Sequence, residues 1–480
     1  MSRVLLVSTY ELGAQPLGLA ALAGPLRAEG HDLRTADLAI EQFDDIDLAW
    51  PDAVAFSVPM HTALRLALTA RARLAQERSD VRACFFGLYA DAARISGENR
   101  PGDLYVAGDA FEAISNWLEA KVGISDVTIV QLGSVRRGRR VSGRDLLSPL
   151  DRYARFVAGH SEQLVGTVES TRGCNHRCRH CPVPVVYRGR SRIVEVEAVL
   201  ADVDELVELG AGHIRFADPD FLNRPAHAVR VATAMHERHP NLSFDATIKV
   251  EHLLRHHDAI AQLARLGLAF VVSALETTSD TILERLDKGH TSDDAARAVR
   301  ELRALGVEIR PSLLPFTPWT QRGDVVDILD FVAVHDLIEN VDAVQYAIRL
   351  LVPPGSLLLD LDDATLRSAL GRFDADALSY TWRSPDPALD ELQEELATLI
   401  EEQDRSGAVA SETYEAVRSL TFSVFGRTDP GRPTAEPPLG PPAFLRPHLT
   451  EAWFCCAEPT RAQIDALARV TVPGARSVTL

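Results

Sequence analysis

The chain has 480 residues, of which 46% are hydrophobic and 25% charged, with a formal net charge of −18. It is too long for one ordinary domain, so two or three are expected, and its composition is that of a globular protein with no apolar run approaching the ~20 residues that span a bilayer. The acidic balance disfavours non-specific association with nucleic acid or an anionic membrane surface.

The opening "MSRVLLVSTYELG" lacks the long apolar region and small-residue cleavage site of a signal peptide and reads as a first β-strand. A cytoplasmic location follows as the expectation. Thiols stay reduced there, so clustered cysteines are read as metal ligands or redox groups rather than disulfides. Through residues 1–125, short apolar runs ("RVLLVST", "DLRTADL", "DAVAFSV", "RACFFGL") alternate with helical patterns such as "PLGLAALAGPLRAEGH" and "TALRLALTARARLAQE". Such alternation predicts a Rossmann-like, doubly wound parallel sheet. Residues 126–163 read as a connector whose basic run includes Arg136, Arg137, Arg139, Arg140 and Arg144. This run is read as a solvated linker or hairpin rather than a phosphate site.

From 164 to 355 the alternation resumes. The helix "VEVEAVLADVDELVELG" places Val196, Val199, Leu200, Val203, Leu206 and Val207 on one face and Gly210 at its C-cap. Strands are expected at "LVGTVEST", "HIRFAD", "LSFDATI", "AFVVSALE", "EIRPSLLPF" and "DAVQYAIRLL". The region reads as a partial (β/α)6 TIM-like barrel, with its chemistry at the C-terminal strand ends. Residues 356–428 form a mostly helical extension. Residues 429–480 combine a Pro-rich tether, "PGRPTAEPPLGPPAFLRP", with a tail containing "EAWFCCAEPTR".

The first barrel strand runs into "RGCNHRCRHCP", where Cys174, Cys178 and Cys181 fall within eight positions. Three thiolates suit a cubane iron–sulfur cluster with one iron left open. They also suit zinc, either structural with a fourth ligand from His176, His180 or elsewhere, or catalytic with three protein ligands. Unligated thiols on so polar a loop are the bland reading.

The motif resembles the CxxxCxxC signature of radical S-adenosylmethionine (radical SAM) enzymes, with its RGC lead-in and following proline; His180 stands where that family often has an aromatic residue. "FADPDF" (216–221) resembles the family's acidic segment after the second strand. "SALETTSDTILERLDKGHT" (273–291) resembles the fourth-strand segment of members with an N-terminal cobalamin-binding domain, and "GAQPLGLAALAGPLRAEGHDL" resembles the opening of that domain. The resemblance covers roughly residues 1–400. It implies that Cys174, Cys178 and Cys181 hold a [4Fe–4S] cluster whose fourth iron binds S-adenosylmethionine. One electron then cleaves the cofactor, usually yielding a 5′-deoxyadenosyl radical. Asp218 or Asp220 would accept from the methionyl ammonium and Glu276 from the ribose hydroxyls, while Arg310 would pair with the methionyl carboxylate. An electron donor such as flavodoxin or ferredoxin is implied as partner.

Cobalamin is an optional third cofactor on this reading. No DxHxxG motif is present, the expected glycine pair is reduced to Gly87 in "FFGL", and the acidic turn reads "AGDAF". Cys84 reads as core. "WFCCAEPT" resembles the ending of the CUAEP/CCAEP-tail subgroup, which implies that Cys455 and Cys456 take part in the reaction on a small-molecule or thiophilic substrate. Two other functions stay open. One is transfer of the 3-amino-3-carboxypropyl group to a thiophilic acceptor such as arsenite held by the tail. The other is a non-enzymatic metal- or redox-sensing protein.

Overall fold

A computed structural model describes residues 1–96, 100–119, 127–129, 143–437 and 440–452. The chain divides into two compact units. One comprises Met1–Arg152 with Ala375–Leu378; the other comprises Tyr153–Asp374 and the described residues from Ser379 onward.

The first unit is built on six strands: β1 (Arg3–Ser8), β2 (Asp32–Asp37), β3 (Ala53–Ser57), β4 (Arg82–Phe86), β5 (Leu104–Ala107) and β6 (Val127–Ile129). All pair in parallel in the order β2-β1-β3-β4-β5-β6. Side chains alternate across the sheet. Val4 and Leu6 therefore enter one core with Leu19, Leu22 and Leu26 of α1 (Leu17–Ala28). Leu5 and Val7 enter a second core with Leu64 and Leu74 of α2 (His61–Glu77). Two shorter helices follow, α3 (Ala90–Ile95) and α4 (Phe111–Glu119). Helices cover both faces, as an all-parallel sheet requires. The sheet thus extends into the segment read as connector: β6 is its last strand.

The second unit centres on five parallel strands. These are β8 (Ser161–Val168), preceded by β7 (Arg155–Ala158), and, beyond the short pair β9 (Thr171–Gly173) and β10 (Ser191–Ile193), β11 (Ala211–Phe216), β12 (Ser243–Thr247), β13 (Leu268–Glu276) and β14 (Glu308–Leu313). The helices in chain order are α5 (Pro182–Tyr187), α6 (Val196–Glu208), α7 (Pro225–Arg238), α8 (Val250–Arg255), α9 (His257–Arg265), α10 (Asp280–Arg285), α11 (Ser292–Ala304) and α12 (Arg322–Val334). The face expected of α6 is largely the buried one, with Val199, Leu200, Val203 and Leu206 inside. Gly210 has the positive φ, +97°, of a residue just past a helix end.

The sixth expected strand departs from its pattern. "DAVQYAIRLL" begins as a 3-10 helix, Ala343–Ala347, and then meets the end of the barrel through a single parallel bridge, Phe316 to Arg349. Past β14 the pairing is made through Phe316: its N–H donates to Ile348 O at 3.3 Å and its carbonyl accepts from Leu350 N at 2.8 Å.

The C-terminal extension holds α13 (Ala364–Ala369), a hairpin of β15 (Leu370–Asp374) and β16 (Ser379–Trp382), and the paired helices α14 (Pro387–Ser406) and α15 (Ala410–Val424). A last strand, β17 (His448–Leu449), pairs antiparallel with β7 and completes the order β14-β13-β12-β11-β8-β7-β17. The end of the Pro-rich segment is therefore anchored. Arg446, 3% exposed, donates to Asn340 Oδ1 at 2.8 Å and pairs with Asp336. Among the described residues no helix is long and apolar enough to cross a membrane.

Candidate active site

β8 delivers the chain to the C-terminal end of the sheet, where β9 and β10 pair antiparallel and frame the cysteine loop. Gly173 has φ +79°, and a Cβ there would collide with Arg190 O and the Tyr187 ring. The glycine ahead of Cys174 is thus a steric requirement. Asn175 N donates to Asn223 Oδ1 at 2.9 Å, Asn175 Nδ2 donates to Asn223 O at 3.0 Å, and Arg179 N donates to Leu286 O at 2.9 Å. Cys181 N closes a turn onto Cys178 O at 3.2 Å, and Pro182 starts α5 at a position where its missing N–H costs nothing. Cys174 and Cys178 are buried and Cys181 is half-buried. Burial pushes the Cys174 thiol up to about 12. A thiol so placed becomes a thiolate only against a bound cation, so the donor set suits a cluster held by thiolates.

Glu276 is the last residue of β13. The register of β13 against β14 shifts between Ala274 and Glu276, and Glu276 takes the left-handed φ of +64°. Bulges of this kind re-aim side chains beside active sites. Its carboxylate accepts from Lys288 Nζ at 2.9 Å and lies 3.1 Å from His180 Nε2, all three groups being at least nine-tenths buried. Burial pushes the Glu276 carboxyl up, but Lys288 and His180 outweigh it and hold it below the usual carboxylate range. Burial likewise pulls Lys288 down, and Glu276 and then Cys178 outweigh it and keep the ammonium charged. A carboxylate, an ammonium and a loop histidine thus stand beside the cysteines.

Asp218 turns inward. Its oxygens accept from Ser170 N and Ser170 Oγ, both at 2.8 Å, and from Thr171 Oγ1 at 2.6 Å. Burial pushes it up to about 7 despite those donors. It braces the strand that carries the cysteines. Asp220 caps the 3-10 turn Phe221–Asn223 through Leu222 N at 3.1 Å, and its other oxygen faces His252 Nδ1 at 2.7 Å and His176 Nε2 at 3.2 Å. Arg310 donates to Glu339 O at 3.0 Å and pairs with Asp342. Of the four expected cofactor ligands, Glu276 is the one whose partners include a residue of the cysteine motif and a cation beside its thiols. Cys455 and Cys456 lie outside the described residues. In the sequence, Lys288 is signalled only by its place in "RLDKGH" after the fourth strand, and nothing local marks His252.

Residues 168–332 match the radical SAM superfamily. The chain is 23% identical over 328 residues to the hopanoid C-3 methylase of Methylococcus capsulatus, covering 64% of this chain and 62% of that protein. It is 24% identical over 226 residues to the 4′-phospho-dehydrooxetanocin synthase of Priestia megaterium, covering 42% and 27%. The chain therefore spans less than two thirds of the curated relatives it matches. Among solved structures, it superposes on the cobalamin-dependent radical SAM enzyme OxsB, with aqua-cobalamin and S-adenosylmethionine bound, at a TM-score of 0.63 with 14% identity, covering 88% and 72% of the two chains. On the radical SAM methyltransferase TsrM from Kitasatospora setae the TM-score is 0.57 with 15% identity, covering 89% and 100%. These likenesses establish a shared fold. With three thiols on the loop after the first barrel strand, residues 168–332 form a radical SAM domain, the kind of domain that binds a [4Fe–4S] cluster and S-adenosylmethionine.

Proposed function

We propose that this enzyme reductively cleaves S-adenosylmethionine bound at the open iron of a cluster held by Cys174, Cys178 and Cys181, and turns the resulting radical on a small-molecule substrate. The observation that carries the proposal is the grouping of the buried cysteine loop with Glu276, Lys288 and His180 at the C-terminal ends of parallel strands. The cluster supplies the single electron that breaks the carbon–sulfur bond. The protein's part is positional: Glu276, kept ionised by Lys288, presents an acceptor to a hydroxyl or ammonium of the cofactor, and the buried walls exclude water. Arg310, Asp218 and Asp220 act one layer out through the partners already described. The electron comes from a reduced flavodoxin or ferredoxin in the cytoplasm.

Cobalamin belongs to this reading because relatives named as cobalamin-dependent share the fold. The first unit fits it in the form without a protein histidine on cobalt. His31 precedes β2, and His61 is wholly buried with Nε2 2.8 Å from Ala377 O. The switch point between β1 and β3 is lined instead by Glu11 and Ser57, 3.0 Å apart, and Gly18 admits no Cβ without striking Ser57 Oγ.

The tail thiols take part in turnover. β17 runs parallel to β8, so the chain leaves Thr450 heading for the sheet end that bears the cysteine loop. Cys455 follows Thr450 by five positions. That is at most about 18 Å of extended chain, against about 13 Å from the level of Leu164 to Val168.

Anaerobic reconstitution tests the proposal. Expected are four irons and four sulfides per chain, and 5′-deoxyadenosine formed under dithionite. Methylthioadenosine would instead assign aminocarboxypropyl transfer to a thiophile such as arsenite, and no cleavage of the cofactor would refute both. Glu276→Gln should weaken S-adenosylmethionine binding about 10–100-fold, the loss of one charge-assisted bond.

A further inference from the structure

At the cysteine loop, three side chains from three different segments turn one donor atom each toward a common point. His176 comes from the loop itself, Asp220 from the segment after β11, and His252 from α8 after β12. Their donor atoms, one per residue, all lie within 4.8 Å of one another. Asp220 Oδ2 is 2.7 Å from His252 Nδ1 and 3.2 Å from His176 Nε2, and the two imidazoles are tilted at 57° with centroids 4.5 Å apart. Despite those separations none of the three atoms makes an aligned hydrogen bond. Asp220 and His252 are more than nine-tenths buried, and His176 is 15% exposed. Buried polar atoms are rarely left in that state, because each costs about 1–3 kcal/mol unsatisfied. Three at once, two imidazole nitrogens and a carboxylate oxygen, are the donor set of a divalent transition metal with open coordination positions.

We propose that His176, Asp220 and His252 bind one divalent transition-metal ion, zinc by the chemistry of the donors, separate from the iron–sulfur cluster. Ligand atoms about 2.0–2.2 Å from a zinc ion stand near 3.3 Å apart in a tetrahedron, close to the 3.2 Å between Asp220 and His176 and somewhat wider than the 2.7 Å between Asp220 and His252. The surroundings supply the outer partners. His176 Nδ1 has Lys249 Nζ at 3.2 Å and Glu251 Oε2 at 3.9 Å, and those two groups pair with each other at 3.3 Å. Lys249 Nζ donates to Nδ1 as the site stands; with the metal on Nε2 the ring proton would reside on Nδ1, so that bond would give way to one from Nδ1 to Glu251, while Lys249 keeps its bond to Glu251. A carboxylate behind a metal-bound histidine is a common arrangement. The ion would tie the loop between Cys174 and Cys178 to the ends of β11 and β12, fixing two cluster ligands from outside the cluster.

The test uses the full chain with its cluster assembled, so that Cys174, Cys178 and Cys181 are occupied, and titrates in zinc against a competing chelator. One equivalent of tightly held zinc is expected beyond the cluster's iron and sulfide. Cobalt(II) at the same stoichiometry should give visible d–d absorption without a sulfur charge-transfer band. His252→Ala should weaken zinc by at least about 100-fold, more than loss of an outer partner costs, at unchanged sulfide content. No zinc bound by the cluster-loaded wild-type chain would overturn the proposal. So would equal zinc affinity in His252→Ala, or a cobalt spectrum with thiolate character. Because the wild-type titration decides on its own, a variant that fails to fold does not rescue the idea, and a failed titration leaves the cleavage of S-adenosylmethionine untouched.

Discussion

His213 and Asp245 lie inside β11 and β12, two or three residues short of the strand ends, whereas Asp220 and His252 stand in the segments past those ends and His176 stands in the cysteine loop after β8 and β9. The inner group is closed. His213 Nδ1 is 2.7 Å from Ser243 Oγ, its Nε2 is 3.0 Å from Asp245 Oδ1, Asp245 Oδ2 accepts from Arg215 at 3.3 Å, and the ring stacks on Phe156 at 3.8 Å. The outer group uses the same residue types but leaves its donor atoms unmatched. Position on the strand separates the two: inside a barrel a polar group must be satisfied to be tolerated, while at the C-terminal ends open valences are where ligands go.

The largest effects come from the outer end. Cys178→Ala should remove the cluster altogether, read as loss of iron, sulfide and visible absorption, and with it all cleavage of S-adenosylmethionine. Next comes the inner group: Asp245→Ala removes the buried carboxylate shared by Arg215 and His213 and should cost about 3–5 kcal/mol in denaturant unfolding. Asp220→Asn in metal-free protein should cost less than about 2 kcal/mol, since little hydrogen bonding is lost. Equal losses at the two sites would erase the distinction between closed and open groups.

Asp218 sharpens the same contrast through pH. Its folded-state value of about 7 lies above the ordinary 3.8 because of burial. The fold therefore favours the protonated form; that contribution is full below about pH 4 and is lost as pH rises toward 7. Stability should fall by up to a few kcal/mol across that window, and Asp218→Asn should flatten the slope in the unfolding midpoints. At the bottom of the scale, Arg297→Ala should change stability by no more than about 0.5 kcal/mol, because its pairs with Asp294 and Glu301 sit on the exposed face of α11.

Much of this was legible along the chain. The alternation of strands and helices and the cysteine spacing are carried by short stretches of sequence, whereas the steric need for Gly173 is not, because it comes from Arg190 O and the Tyr187 ring, 14 to 17 positions further on. That Glu276 ends a strand was legible too. The sixth barrel strand was not: its apolar run fits a strand by pattern, but Gln345 meets Leu313 N with its side chain rather than its backbone, and the run pairs only through the bridge at Phe316. The roles of Asp218 and Asp220 also escaped the pattern. The two are separated by one proline, and nothing local indicates that one turns to Ser170 and Thr171 while the other meets two imidazoles.

By itself the amino-acid order determined that there would be a parallel-sheet unit, a barrel-like unit and a three-thiol loop at a strand end. Tertiary structure alone decided that Lys288 charges Glu276, that β17 joins the barrel sheet parallel to β8, and that His252 joins His176 and Asp220. Those pairings join residues 12 to almost 300 positions apart, and only the packing of strands side by side brings such distant groups within a few ångströms.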